Sequence, residues 1–255
     1  MRDHSSSAMG PIVIGGNGHS GTRVFCDIVT RGGVFTGLNH LTKRSRSADL
    51  KIIDLLNRWV EPFVYDGLSE ADAADMRKAF TRRLRICFPF RAHRWGFKNP
   101  RTMLILPFLD QLFPTMRFVH VIRDGRDISL GNPFVFSNVY VEKFLAEDER
   151  VLPPEEKMIL YWGRSNQAAW EYGTRKMGAR YLLMRWEDLC ANAEPNTGRL
   201  LEFARCGTDG AKNIASIVQT PKSMGRWRSY PNDTQERVSA RGCKWLAQFG
   251  YMSSN

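Results

Sequence analysis

Pro11-Ile12-Val13-Ile14-Gly15-Gly16-Asn17-Gly18-His19-Ser20-Gly21-Thr22-Arg23 is the stretch that decides the fold. Ile12, Val13 and Ile14 form a short apolar run, the mark of a buried strand. A glycine-rich stretch from Gly15 to His19 follows, then Ser20, Gly21, Thr22 and a helix-compatible run from Arg23 to Val29. Strand, glycine-rich turn and helix in that order aim backbone N–H groups and the positive end of a helix dipole at one point, which is how a phosphate is held. From Gly16 the spacing is G-x-x-x-x-G-T-R, whereas the nucleotide-triphosphatase loop reads G-x-x-x-x-G-K-S/T. Thr22 stands where that lysine belongs. The cation that reaches a β/γ-phosphate is missing, and so is a hydroxyl in register for Mg²⁺. The expectation is a loop that cradles a phosphate without cleaving a nucleoside triphosphate. Glycines alone would also suit an ordinary turn; the Ser-Gly-Thr tripeptide opening a helix favours the phosphate.

The chain has 255 residues without an internal repeat, and 43% of them are hydrophobic, which suits one α/β domain over 1–255 with a sizeable core. A net charge of +11 implies an acidic partner such as a nucleotide, a sulfated or phosphorylated substrate, nucleic acid or anionic lipid. Cys26, Cys87, Cys190, Cys206 and Cys243 form no C-x-x-C pair. Neither a disulfide framework nor a zinc site is expected, and reduced thiols point to the cytoplasm. No signal peptide and no transmembrane segment are expected. The basic runs are not interleaved with aromatics, so no nucleic-acid groove is expected.

Further along, Val34-Phe35-Thr36 reads as a second strand after Gly32-Gly33, leading to His40. Loops after parallel strands line the ligand crevice, so topology places His40 near the phosphate loop; a surface histidine beside the basic run Lys43-Arg44-Ser45-Arg46 is the alternative. Residues 41–92 read as a mainly helical insertion, with helices over Asp49–Val60 and Ser69–Arg85 and Ser69 as a cap. Arg94 to Lys98 reads as a strand delivering Lys98-Asn99-Pro100-Arg101 to its end, with Pro100 opening a helix. Arg117 to Ile122 is the clearest strand, followed by Arg123-Asp124-Gly125-Arg126-Asp127. An arginine at a strand end suits a bidentate phosphate contact, although a structural ion-pair cluster would also alternate acids with arginines. Glu155 to Met177 reads as a long helix, Tyr181 to Met184 as a strand, Asn196 to Phe203 as a helix capped by Asn196, and Thr234 to Phe249 as the closing helix. Strands alternating with helices imply a central parallel sheet of about five strands flanked by helices, a P-loop-like three-layer sandwich. Anion-ready turns then share one edge, and their separation suits a bisphosphorylated nucleotide.

These residues resemble the sulfotransferases that use 3′-phosphoadenosine 5′-phosphosulfate (PAPS). Gly18-His19-Ser20-Gly21-Thr22-Arg23 is similar to their 5′-phosphosulfate loop, and Val121 to Asp127 to their 3′-phosphate motif. Lys98-Asn99-Pro100-Arg101, Arg185-Trp186-Glu187-Asp188-Leu189 and Gly225-Arg226-Trp227-Arg228 are similar to three further segments. The matches run in order from residue 11 to about 230. The resemblance implies PAPS as donor, the bisphosphate PAP as product and no metal. Gly18, His19, Ser20, Gly21, Thr22 and Arg23 would hold the 5′-phosphate, Arg123 the 3′-phosphate, and Trp186 would stack on adenine. Arg226 and Trp227 would close over the nucleotide. Lys98 would stabilise charge on the bridging oxygen, and His40 would deprotonate the acceptor, with His93 as runner-up. His19 replaces the family's lysine or arginine, which makes that contact pH-dependent, since histidine titrates at about 6.5. Gly131 stands where the family places a 3′-phosphate serine, with Ser129 or Asn132 as substitutes. The acceptor, a small molecule or a glycan approached from 41–92 and 133–154, is not specified, nor is the oligomeric state. Phe134, Phe136, Tyr140 and Phe144 are candidates for its apolar wall, or for core or lid packing. A P-loop-like small-molecule kinase and a basic non-enzymatic anion-binding module are the competing readings.

Overall fold

The computed structural model describes residues 10–36, 69–87, 94–131 and 139–252. The expected helix over 49–60, together with His40, His93, Asn132, Phe134 and Phe136, lies outside the described residues. A parallel four-stranded sheet of order β2-β1-β3-β4 forms the centre. Its strands are β1 (Ile12–Gly16), β2 (Gly96–Lys98), β3 (Arg117–Ile122) and β4 (Tyr181–Arg185). Ile14 pairs with Lys98 and Val119, Gly16 with Val121, and Ile122 with Arg185. This register brings the carboxyl ends of all these strands to one edge.

The alternation of the strands sorts the core by face. Val13, Phe97 and Phe118 pack with Met76 and Phe80 of α2 (Glu70–Cys87) and with the turns over Pro100–Ile105 and α3 (Leu106–Leu112). Ile12, Ile14, Val119, Val121, Leu182 and Met184 pack on the other face, against α1 (Thr22–Arg31), α7 (Trp186–Ala191) and α8 (Ala193–Phe203). A third cluster joins Ile122 and α4 (Gly125–Ser129) to α6 (Pro154–Tyr172) and α10 (Asn232–Gln248). The short helices α5 (Val139–Lys143) and α9 (Ala211–Ala215) complete the chain order. Helices therefore cover both faces, the arrangement that parallel strands require.

Some sequence expectations change. Val34-Phe35-Thr36 contributes only a parallel bridge between Phe35 and Trp95, so the expected extra strand shrinks to one pairing. The helix over 154–172 passes into a π-turn at Gly173–Met177 instead of continuing. Asn196 caps nothing at its own helix start. The helix begins at Ala193, Pro195 is accommodated in its first turn, and the Asn196 amide donates to the carbonyls of Asp188 and Asn192. Phe144 is half-buried and packs edge-on against Tyr161, beside the third cluster.

Candidate functional site

The site lies on the edge where the strands end. Ser20 is buried, and its Oγ has no hydrogen-bond partner among the described residues. A buried hydroxyl without a partner carries a desolvation cost that an incoming acceptor relieves. Gly21 takes a left-handed φ of 86°, and a Cβ there would sit 2.7 Å from the Trp186 ring. Only glycine allows the loop to lie on that indole. Trp186 is 3% exposed and packs against Phe25. Trp186 therefore lies beneath the glycine-rich loop, between Gly21 and Phe25, at the position that the resemblance assigned to the adenine-stacking residue. His19 also has a positive φ of 66° and is exposed at the loop's tip. Partial desolvation, then the charges of Arg226 and Arg123, hold its pKa below the ordinary histidine value.

Lys98 ends β2 beside the start of this loop and is only 9% exposed. Burial holds its pKa below the ordinary lysine value, and the charge of Arg23 adds to that. The neighbouring Cys26 thiol is pushed up to about 11, chiefly by burial, and stays protonated. After Lys98, the Asn99 side chain accepts from the Arg101 amide and caps the turn at Pro100–Ile105.

Arg123, at the end of β3, reaches the phosphate loop: its Nη1 donates to the His19 carbonyl at 3.4 Å. Nη2 donates to Asp127 Oδ2 at 2.8 Å and to the Ser223 carbonyl, while Nε has no partner among the described residues. The glycine-rich loop and the arginine motif are thus neighbours on one edge. Asp127 does more than the sequence suggested. It pairs with Arg123, not Arg126. Its carboxylate also accepts from the Gly225 and Trp227 amides at 2.8 and 3.1 Å, and its carbonyl accepts from Arg226. The helical i,i+4 spacing of Arg123 and Asp127 permits this. Arg126 pairs with Asp124 at 2.7 Å, lies 3.9 Å over the Trp227 ring and donates to the Tyr251 carbonyl. The Trp227 indole N–H is buried without a partner among the described residues.

Ser129 does not face the site. It is fully buried, and its hydroxyl donates to the Gly125 carbonyl at 2.7 Å. The hydroxyl that the sequence offered in place of a phosphate-binding serine is thus engaged within α4. At Gly131 a Cβ would lie 1.3 Å from Arg226 Nη2. The Arg226 guanidinium occupies the space a side chain at 131 would take.

Sequence reasoning missed Glu187 and Tyr251. One Glu187 oxygen accepts from the Asp124 amide at 2.9 Å and the other from the Tyr251 hydroxyl at 2.9 Å. Burial raises the Glu187 pKa above the ordinary carboxylate value. Glu187 sits in the quoted segment Arg185–Leu189, but Tyr251 carried no local signal. Among the described residues no group of histidines, cysteines and carboxylates is placed to hold a metal, and no helix is long and apolar enough to cross a membrane.

The family model described as "Sulfotransferase family" matches residues 11–209. No curated protein matches the sequence. Among solved structures, the sulfotransferase domain of the Synechococcus PCC 7002 olefin synthase is 17% identical with a TM-score of 0.53, over 99% of this chain and 98% of that one. Sulfotransferase STF1 from Mycobacterium tuberculosis H37Rv is 13% identical with a TM-score of 0.56, over 93% of this chain and 77% of that one. Retinol dehydratase, in a complex with retinol and PAP, is 11% identical with a TM-score of 0.52, over 92% of this chain and 81% of that one. At these identities the structural likeness is one of fold.

Proposed function

This chain belongs to the sulfotransferase family, and from that we propose that it moves a sulfuryl group from PAPS to a hydroxyl or amine of a carbohydrate or small molecule. The carrying observation is the contact between Arg123 and the His19 carbonyl, which joins the 5′-phosphate loop to the 3′-phosphate motif. The partnerless Ser20 hydroxyl, Arg123 Nε and Trp227 N–H lie in the loop, motif and late segment that would surround the nucleotide, and they fit a ligand rich in acceptor oxygens. Gly18, Ser20, Gly21, Thr22 and Arg23 would hold the 5′-phosphate at the opening of α1. Arg123 and Arg226 would hold the 3′-phosphate, with phosphate oxygens taking the place of the Ser223 carbonyl that Arg123 now grips.

The donor supplies an activated sulfonate whose leaving group is a stable bisphosphate. Lys98 would meet the charge that grows on the bridging oxygen. His40, with His93 as alternative, would accept the acceptor's proton. The free Cys26, Cys190, Cys206 and Cys243 thiols suit a cytoplasmic setting. The missing Walker lysine weighs against the kinase reading.

PAP is expected to raise the melting temperature by about 5–10 °C at roughly a hundredfold excess over its Kd, equally with Mg²⁺ or with a chelator. No shift at millimolar PAP would overturn the reading, and a shift by Mg²⁺–ATP alone would favour a kinase. Labelled PAPS offered with a panel of carbohydrate and small-molecule acceptors then identifies the acceptor.

His19 gives this site a pH signature. It is depressed in the free protein and so mostly neutral near pH 7, and an adjacent phosphate favours its cation. Binding then draws in a proton, and PAP affinity should fall as pH rises from about 6 to about 8. In His19→Lys the slope should flatten to that of the ligand's own phosphates. Equal slopes in both proteins would show that His19 does not titrate on binding.

A further inference from the structure

We propose that Asn166 and Ser165 on α6 are positioning residues that clamp Asn17 and preset the phosphate loop before any nucleotide arrives. The inference rests on the reading of that loop as a nucleotide-phosphate site. Asn17 opens the loop directly after β1 and is 3% exposed. Its carbonyl accepts from the Ser20 amide at 3.2 Å, which closes the turn. Its side chain leaves the loop and enters the protein. Asn17 Nδ2 donates to Ser165 Oγ at 3.2 Å, and Asn166 Nδ2 donates to Asn17 Oδ1 at 2.6 Å. Neither residue of α6 has a place in the chemistry.

The clamp is directional, and the direction is enforced from behind. Asn166 Nδ2 also donates to the Trp162 carbonyl at 2.7 Å, so both of its N–H groups are used. Asn166 Oδ1 is then an acceptor facing His120 Nε2 at 2.9 Å, and His120 must donate. His120 Nδ1 is left bare and accepts from the Tyr181 hydroxyl at 2.6 Å. Hydrogen bonds run one way, Tyr181 to His120 to Asn166 to Asn17 to Ser165. His120 and Asn166 are fully buried, and burial keeps the imidazole neutral, with a pKa lowered to about 4. One tautomer of His120 and one amide orientation of Asn166 satisfy the polar groups of both residues. A buried polar network of this kind specifies a single arrangement.

The loop needs such a device. It is rich in glycine and carries positive φ angles at His19 and Gly21. Ordering a loop like this costs conformational entropy, and a ligand that must do the ordering binds less tightly. Holding Asn17 fixes where the amides from Gly18 to Gly21 point.

The test compares Asn17→Ala, Asn166→Ala and the double variant with the full-length wild type. Tyr172→Phe, which cuts a hydrogen bond from the same helix to Asp110, serves as control. Two readouts are used: hydrogen exchange of the loop amides without ligand, and PAP affinity by calorimetry. Both single variants should exchange the Gly18–Gly21 amides faster and bind PAP about tenfold more weakly. The double variant should be no worse than Asn17→Ala, which already removes both side-chain links from the loop to α6. Tyr172→Phe should match wild type in both readouts. Wild-type exchange with PAP affinity within about twofold in Asn17→Ala overturns the clamp, as do losses that simply add. Faster loop exchange in a protein whose wild type does not bind PAP keeps the clamp and removes the nucleotide reading. Asn17→Ala leaves Asn166 its Trp162 and His120 partners, so the test survives if Asn166→Ala fails to fold.

Discussion

Lys98→Ala is expected to lower kcat by about a hundredfold or more while leaving PAP affinity within a few-fold. The lysine is 9% exposed and held below its ordinary pKa mainly by burial. Such a group is poorly solvated in the free protein, and it gains most when negative charge appears beside it. In the proposed reaction that charge appears on the oxygen between phosphorus and sulfur as the sulfonate leaves. PAP lacks the sulfonate and the developing charge, so its binding reports little of this interaction. The split between kcat and affinity is therefore the diagnostic. Stability should move the other way. Burying this cation costs the fold desolvation free energy, which its lowered pKa records, so Lys98→Met should melt at the wild-type temperature or above it. Turnover of labelled PAPS with the acceptor found in the panel, beside a melting curve, measures both. A kcat within about threefold of wild type would remove Lys98 from the chemistry.

The strands, the glycine-rich turn between β1 and α1 and the shared edge were legible because they follow from local pattern. Ile12-Val13-Ile14 and Arg117 to Ile122 are apolar runs, and the structure gives both as parallel strands in one sheet. The segments that end at Lys98, Arg123 and Trp186 could be placed on one edge from the alternation of strands and helices alone. What was not legible is which way side chains face and what they meet across long separations. Ser129 lies in the right turn, but α4 points its hydroxyl back to Gly125. Trp186 lies at the right strand end, but Gly21 and Phe25 cover it. Acids and arginines alternate from Arg123 to Asp127, and sequence alone does not choose between neighbour pairing and helical i,i+4 pairing. Arg226 fills the space over Gly131, a contact that no local window contains. The β-branched and aromatic triplet Val34-Phe35-Thr36 failed as a strand because it makes one bridge and no ladder among the described residues.

Asp127→Ala should cost more than any other single change on the 3′-phosphate side, in stability and in nucleotide selectivity together. The carboxylate is 1% exposed and holds Arg123, which is itself 4% exposed, and the amides of Gly225 and Trp227. Its removal leaves a buried guanidinium without its counterion, a loss of about 3–5 kcal/mol. For a chain of this size the melting temperature should fall by roughly 10 °C. Stability alone would not distinguish a structural residue from one that shapes the site. The discriminating measurement is the ratio of affinities for PAP and adenosine 5′-monophosphate, which differ only in the 3′-phosphate. Asp127 sets the position of Arg123 directly and that of Arg226 through its carbonyl and the Gly225–Trp227 segment. In the alanine variant that ratio should collapse by about a hundredfold. Asp127→Asn keeps the shape but turns an amide N–H toward donors, so it should lose less stability and still lose about tenfold in the ratio. Asp124→Ala supplies the comparison, because Asp124 caps α4 and pairs with Arg126, away from Arg123. It should destabilise the protein while leaving the preference for PAP largely intact. If Asp127→Ala instead kept the wild-type ratio in a folded protein, Arg123 and Arg226 would not be the groups that read the 3′-phosphate.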